Sequence, residues 1–418
     1  MFKVADSRGA SFLIRKNQPC GGAFGADGEP AGKQRQSERL HRPHICFVAP
    51  AVWPILSGDR SIATVGGAEV QQSLLAREIV RRGYPVSIIC MNYGQSDACI
   101  VEGVTVHRMH APEEGVPVFR FLHPRLTSLW SAMHRVDADI YYQRASGALT
   151  GFVAAFSRRQ RRLSVFAAAS DADFDPSVPL VRFGRDRALY RWGLRHVSGI
   201  VAQSERQREA LVRSYGRNAT VIRSCYGHAG KRSHPGATII WVATIKQMKR
   251  PDLFLELARR CPDYRFRLVG GGLPEEGRLF NRICSEARAL PNVEMTGFVP
   301  FVDVEKHFDE GSLLVNTSDM EGFPNTFLQA WSRGMPSASF FDPGARWQEQ
   351  PVGEVVSSVD EMVACVRSLM SNEAHWQRKS SACRDYFAAH HSVDRAADAY
   401  EAVFARLRAA AAAAQDQA

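Results

Sequence analysis

A strand, a glycine-bearing turn, a helix and a second strand follow one another where the patterned sequence begins, and this unit recurs along most of the chain. His44-Ile-Cys-Phe-Val-Ala-Pro50 is a short apolar run between prolines, the pattern of a strand buried on both faces. Gly66-Gly67-Ala68-Glu69 supplies a turn, and Val70, Leu74, Leu75, Ile79 and Val80 then share one face of a helix that ends near Arg82-Gly83. Val86-Ser-Ile-Ile-Cys90 is the next strand. Strands joined through a helix in this way lie parallel, so a parallel sheet covered by helices is expected. Strand-like runs at 139–142, 164–168, 199–202 and 219–222 extend it, with helix-like stretches at 146–162, 182–197 and 204–216.

Between Ser224 and Gly236 the pattern gives way to Gly, His, Ser, Lys and Pro, and then it starts afresh. The second series has strands at 238–243, 265–272, 292–296, 312–316 and 337–341. Its helices fall at 251–260, with Pro251 in the first turn, and at 275–289, 361–371, 373–389 and 392–410. The spacing predicts an α/β chain of two tandem, Rossmann-like, doubly wound domains with an interdomain cleft. The first domain is expected over 44–224, a linker over 225–237, the second domain over 238–390, and a C-terminal helix with a frayed tail over 391–418. Residues 1–43 carry much Gly, Lys, Arg, Gln and Ser and no apolar periodicity, so a disordered N-terminal extension is expected there.

The 418 residues suffice for two or three domains. No apolar run approaches the roughly 18 residues that span a bilayer. The first sixteen residues scatter Lys3, Asp6, Arg8, Arg15 and Lys16, unlike a secretory signal, so a cytoplasmic location is expected. The nine cysteines show no CxxC and no metal-type pairing with histidine, which argues against a zinc or redox site. Of the net charge of +10, residues 182–232 hold twelve Lys/Arg against three Asp/Glu, while 236–380 hold sixteen against nineteen. That contrast suits an anionic partner such as a membrane surface or phosphorylated lipid, or else a solvated arginine-rich face. Nucleic acid is not expected, because the basic stretch lacks aromatics interleaved at stacking spacing.

Three loops after strand ends carry the chemistry. Gly66-Gly67 before a helix lets backbone approach a phosphate at the helix N-terminus, though the pair alone suits an ordinary turn equally well. Lys246 and Lys249 follow the first strand of the second series, where a lysine can meet a diphosphate, and Gly270-Gly271-Gly272 ends the next strand with room for a ligand. The most informative stretch is Ser318-Asp-Met-Glu-Gly-Phe-Pro-Asn-Thr-Phe-Leu-Gln329. Its backbone amides near Asn325 and Thr326 form an anion site at a helix start. Glu321 beside them would repel phosphate unless it faces something neutral such as sugar hydroxyls. Gln329, further along the helix, can hydrogen-bond a second polyol. In the first series, Asp171 and Asp173 follow a strand and are candidates for the acceptor side. No Asp-x-Asp stands near the donor loops, so no metal is expected.

These motifs resemble family 4 glycosyltransferases of the GT-B fold, in the group that makes bacterial exopolysaccharide or lipid-linked glycans. The resemblance covers roughly residues 44–405 and rests on Gly66-Gly67-Ala68-Glu69, Lys249-Arg-Pro-Asp252, Leu268-Val-Gly-Gly-Gly272 and Glu321-Gly-Phe-Pro-Asn-Thr-Phe-Leu. It implies a retaining enzyme that takes a UDP- or GDP-linked sugar in its second domain and a glycan or polyprenyl-linked acceptor in its first. It implies no cofactor and no metal. Lys249 would contact the diphosphate near Gly67, with Lys246, Gly271, Gly322, Phe323, Asn325 and Thr326 around the donor. Glu321 would hold the donor sugar, and the last helix would cross back onto the first domain. The protein could then sit on the inner face of the cytoplasmic membrane. Three departures stand out: Thr244 replaces an arginine, Ser224-Cys225 replaces Asn-Gly, and Gln329 replaces the second glutamate of the EX7E motif. Gln329 is assigned to the ribose, and Gln329→Glu is expected to be tolerated. A GT-B nucleotide-sugar epimerase and an idle GT-B scaffold are the rival expectations.

Overall fold

The computed structural model describes residues 42–416, apart from 61, 63–65, 117–118, 178–180, 228–232, 274–275, 320 and 322. The expected N-terminal extension falls outside them except for Arg42 and Pro43.

The alternating runs form two sheets. The first is built from β1 (Ile45–Val48), β2 (Val86–Cys90), β3 (Cys99–Val101), β4 (Val104–Arg108), β5 (Ile140–Arg144), β6 (Leu163–Ala167), β7 (Gly199–Ala202) and β8 (Thr220–Val221), in the order β3-β4-β2-β1-β5-β6-β7-β8. All neighbours are parallel except β3, which runs antiparallel to β4 on the edge. Its crossover helices include α1 (Gly67–Arg81), α2 (Thr127–Val136), α3 (Ala148–Arg159), α4 (Gly184–His196) and α5 (Glu205–Tyr215). Strands β1 and β2 are buried at every residue, as a sheet covered on both faces requires.

The second sheet is parallel throughout. It comprises β9 (Thr238–Val242), β10 (Arg265–Val269), β11 (Val293–Gly297), β12 (Leu313–Asn316), β13 (Ser337–Ser339) and β14 (Glu354–Val355), in the order β11-β10-β9-β12-β13-β14. Helices α6 (Pro251–Arg260), α7 (Gly277–Arg288), α8 (Phe301–Glu310), α9 (Asn325–Ser332), α10 (Val359–Ser371) and α11 (Glu373–His390) cover it. The sequence pattern does not predict β3, β4, β14, α2 or α8.

In both sheets the strand order turns back beside the first strand, which opens a crevice at the carboxyl ends of the strands. The chain passes between the sheets twice, and the two crossings are hydrogen-bonded to each other. Tyr226 N donates to His391 O at 2.9 Å, and Val393 N donates to Tyr226 O at 3.2 Å. The last helix, α12 (Val393–Asp416), lies against the first sheet, as the resemblance implies. Ala396, Ala397, Tyr400, Val403 and Phe404 share one apolar core with β1, β2 and β5. Arg82, at the end of α1, ties down the polar side of α12 through Asp398 at 2.5 Å and Glu401 at 2.7 Å.

Phe404 is 1% exposed and fills that core from the final helix. Phe404→Ala should lower unfolding stability by about 3–5 kcal/mol, measured by urea titration.

Candidate active site

The crevice between the sheets holds a cleft of about 570 Å³, with Gly66, Gly67, Gln71, Arg144 and Ser224 on one wall and Thr244, Lys246, Lys249, Glu321, Asn325 and Thr326 on the other. Two helix N-termini meet here. Asn325 begins α9, and its side-chain amide donates to Gly67 O, in the first turn of α1, at 3.2 Å. A Cβ on Gly67 would lie 2.9 Å from that Asn325 nitrogen, so the close approach favours glycine. Unpaired N–H groups of both helices therefore point into one cleft, each end carrying about half a positive charge.

Gln71, on α1, locks this meeting in place. Its Nε2 donates to Cys225 O at 2.7 Å and to Asn325 Oδ1 at 3.1 Å, and its Oε1 accepts from Cys225 N at 2.8 Å. One side chain thus joins the first sheet, the crossing segment and α9.

The lysine loop and the acidic loop are fastened together as well. Thr317 Oγ1 donates to Lys249 O at 2.8 Å, and Asp319 N donates to Met248 O at 3.0 Å. Lys249 and Glu321 form an ion pair facing the cleft, with 20% and 16% of their side chains exposed, and Ser318 Oγ donates to Glu321 Oε1 at 2.9 Å. Lys246 lines the same cleft. Phe323 stacks on His391, with ring centroids 4.8 Å apart, and so packs the acidic loop onto the second crossing. Burial pushes the His391 imidazole down to about 3, so it stays neutral, and its Nδ1 bonds Ser224 O at 2.7 Å. Gly322 lies outside the described residues.

A smaller pocket of about 210 Å³ opens beside the cleft, lined by Gly270, Gly271, Leu273, Phe298, Val299 and Gln329. Val242, Ala243, Thr244, Phe301 and Thr326 border both spaces. A Cβ on Gly271 would lie 2.8 Å from Phe298 Cβ and 3.1 Å from its Cα, so a glycine lets these loops meet.

Asp171 and Asp173 are not brought to the cleft. Asp173 is 3% exposed and accepts from Ala169 N at 2.6 Å and Ser170 N at 3.0 Å, closing the helical turn in which it sits. Burial raises its carboxyl above the ordinary range. Asp171 accepts from Gln207 Nε2 at 2.8 Å, on α5. Both serve the local fold, and the acceptor assignment is corrected accordingly. The Gln329 amide lies 3.0 Å from the carboxylate of Glu305 on α8, a neighbour that argues against the tolerance expected of Gln329→Glu.

Arg144 falls in none of the sequence motifs. It ends β5 in the cleft wall and is 8% exposed. Its partners are the hydroxyls of Ser224, at 3.3 Å, and Tyr142, its Nε bonds nothing among the described residues, and no acidic side chain there pairs with it. A charged residue at the carboxyl end of a predicted strand was the available signal.

Comparisons with known proteins agree with this geometry. A "Glycosyl transferase 4-like domain" model matches residues 66–227, and a "Glycosyl transferases group 1" model matches residues 236–372. The chain belongs to the family 4 glycosyltransferases of the GT-B fold. An uncharacterized glycosyltransferase of Haemophilus influenzae is 26% identical over 157 residues, which is 35% of this chain and 43% of that protein, so the match spans under half of the relative's length. Among solved structures, HepE of Anabaena in complex with UDP and glucose superposes with a TM-score of 0.68 at 14% identity, over 87% of this chain and 100% of that one. Sucrose-phosphate synthase of Thermosynechococcus elongatus gives 0.71 at 14%, over 88% and 100%. The pneumococcal O-GlcNAc transferase GtfA in complex with UDP and GlcNAc gives 0.63 at 11%, over 88% and 99%. At these identities the likeness is one of fold.

In this glycosyltransferase, a Cβ on Gly270 would come 1.9 Å from Ala243 O, backbone against backbone. Gly270→Ala should therefore push the ends of β9 and β10 apart and cost roughly 1–3 kcal/mol of stability, read by urea unfolding.

Proposed function

We propose that this glycosyltransferase moves a sugar from a UDP- or GDP-linked donor, with retention, to a glycan or polyprenyl-linked acceptor in polysaccharide assembly. The observation that carries this reading is the convergence of two helix N-termini and Lys249 at one end of the cleft, with Glu321 beside them. A nucleoside diphosphate gains negative charge as its bond to the sugar breaks. Amides and an ammonium already aimed at that place stabilise it without rearranging. Lys246 adds charge where Thr244 supplies none. This positive set can meet the diphosphate without a metal. Glu321 can accept from the sugar's hydroxyls, and the smaller pocket, with Phe298 and Val299 in its wall, suits the nucleoside. Arg144 is a buried cation without an acidic partner, which is costly unless an anion meets it, and it fits a phosphate on the acceptor.

Steady-state kinetics and nucleotide titration in excess EDTA test this reading. Glu321→Ala should lower kcat by about a hundredfold or more while nucleotide affinity stays near normal. Arg144→Gln should raise the KM for acceptor and leave nucleotide affinity unchanged. Near-normal kcat in Glu321→Ala would remove the sugar-site assignment. Donor epimerised without acceptor would point to an epimerase, and absence of UDP and GDP binding to a scaffold.

The charge contrast in the sequence takes a definite shape near the start of α4. Arg182, Arg185, Arg187 and Arg191 are exposed there beside Phe183 at 58%. Arg185 covers the ring of Phe121 at 3.3 Å, which brings in exposed Phe119 and Leu122. Among the described residues no helix is long and apolar enough to cross a membrane. Apolar side chains ringed by arginine suit the surface of an anionic bilayer instead. Sedimentation with phosphatidylglycerol vesicles should be strong at low salt, weaken at high salt, and fall in a Phe119→Ser, Phe183→Ser variant. Equal binding to neutral vesicles would count against this surface.

A further inference from the structure

Gln329 lies one turn into α9 from Thr326, which borders both the phosphate cleft and the smaller pocket. In any nucleotide the ribose separates phosphate from base, so a polar side chain at this boundary is placed to meet the ribose. Which end of the Gln329 amide it shows is decided by its other neighbours. Nε2 lies 3.0 Å from Glu305 Oε1 and 3.4 Å from the Tyr226 hydroxyl. A carboxylate can only accept, so the amide nitrogen must face Glu305, and the flipped amide would set two oxygens against each other.

Glu305 is held in turn. It accepts from Tyr226 on one oxygen and from Arg333 on the other. Arg333 is 3% exposed, is bound by Asp309 at 2.7 Å, and donates to Gln329 O at 3.0 Å. Burial, and then the Glu305 carboxylate, raise the pKa of Tyr226, which keeps it a neutral donor. Both amide protons of Gln329 are therefore committed. Its Oε1 accepts from no described residue and is the end left for the pocket.

We propose that Glu305 is a positioning residue that makes Gln329 a fixed acceptor for a ribose hydroxyl, so that the site selects ribonucleotides over deoxyribonucleotides. This rests on the nucleotide-sugar reading and adds to it the specificity of the sugar ring. Glu305 itself does not touch the ligand. Its negative charge also explains why glutamine suits position 329: a glutamate there would set a second carboxylate about 3 Å from that of Glu305, and the two like charges would repel.

The test is calorimetric titration of the full chain with UDP, 2′-deoxy-UDP and 3′-deoxy-UDP, or with the guanosine series if GDP binds tighter. The native protein should prefer the ribonucleotide over at least one deoxy form by about tenfold, the worth of one well-placed hydrogen bond. Glu305→Ala should reduce that ratio to about one while affinity for the deoxy form stays within about twofold. The ratio is taken on one preparation, so partial unfolding of the variant affects both titrations alike. Gln329→Glu should weaken all the nucleotides, and the double variant Glu305→Gln, Gln329→Glu, which exchanges carboxylate and amide, should recover the ribose preference. An unchanged ratio in Glu305→Ala, or normal binding by Gln329→Glu, overturns the proposal and leaves the donor reading intact. A native protein that binds neither UDP nor GDP overturns both.

Discussion

Gln71 is 4% exposed and spends every hydrogen-bonding atom of its side chain on holding three parts of the chain together: both backbone groups of Cys225 and the side chain of Asn325. Together with the Asn325–Gly67 bond, that clasp fixes the separation of the first turns of α1 and α9, so that two half-charges from different sheets add at one point. A buried amide satisfied on both ends constrains geometry more tightly than an apolar contact, because leaving any of its groups unpaired carries a desolvation cost. The rest of the cleft is arranged around this meeting point. The lysine and acidic loops are tied to each other on one side, and Arg144 stands opposite them in the wall of the first sheet.

The same network bears on electrostatics. On the second-sheet side the carboxylates are matched by cations: Glu321 by Lys249, and Glu305 by Arg333. Position 329 then has to be neutral, because its neighbour already carries the charge. What looks in the motif like the loss of a glutamate is, in three dimensions, a carboxylate standing on the adjacent helix.

The fold was legible because the central strands, buried on two faces, read as apolar runs. The strand at 199–202 matches its expected bounds for that reason, and the helix at 251–260 does so because Pro251 opens it. Edge elements fade because half of their surface meets water: β3 has an exposed centre, and α8 mixes charge into its apolar stripe. Missing α8 also hid Glu305. Cleft-lining residues at strand ends and helix starts (Gly67, Lys246, Lys249, Glu321, Asn325, Thr326) were legible as such, since a parallel sheet places such positions in its crevice. Asp171 and Asp173 met the same rule, yet Asp173 closes on the amides of its own turn and Asp171 pairs with Gln207 and Arg206. Gln71 was invisible, since a glutamine on an amphipathic helix is ordinarily a surface residue and only the tertiary contact reveals otherwise.

The chain runs between the sheets twice, and residues 226 and 391–393 hydrogen-bond side by side where it does so. A single connection would act as a universal joint, letting one half twist and tilt freely against the other. Two bonded connections act as a pair of pins on one door. The remaining soft motion is a swing about the line through both, and every point on the two facing walls moves along an arc centred there. Loops far from the pins travel furthest, so such a swing opens the outer rim of the cleft more widely than it separates the two helix starts.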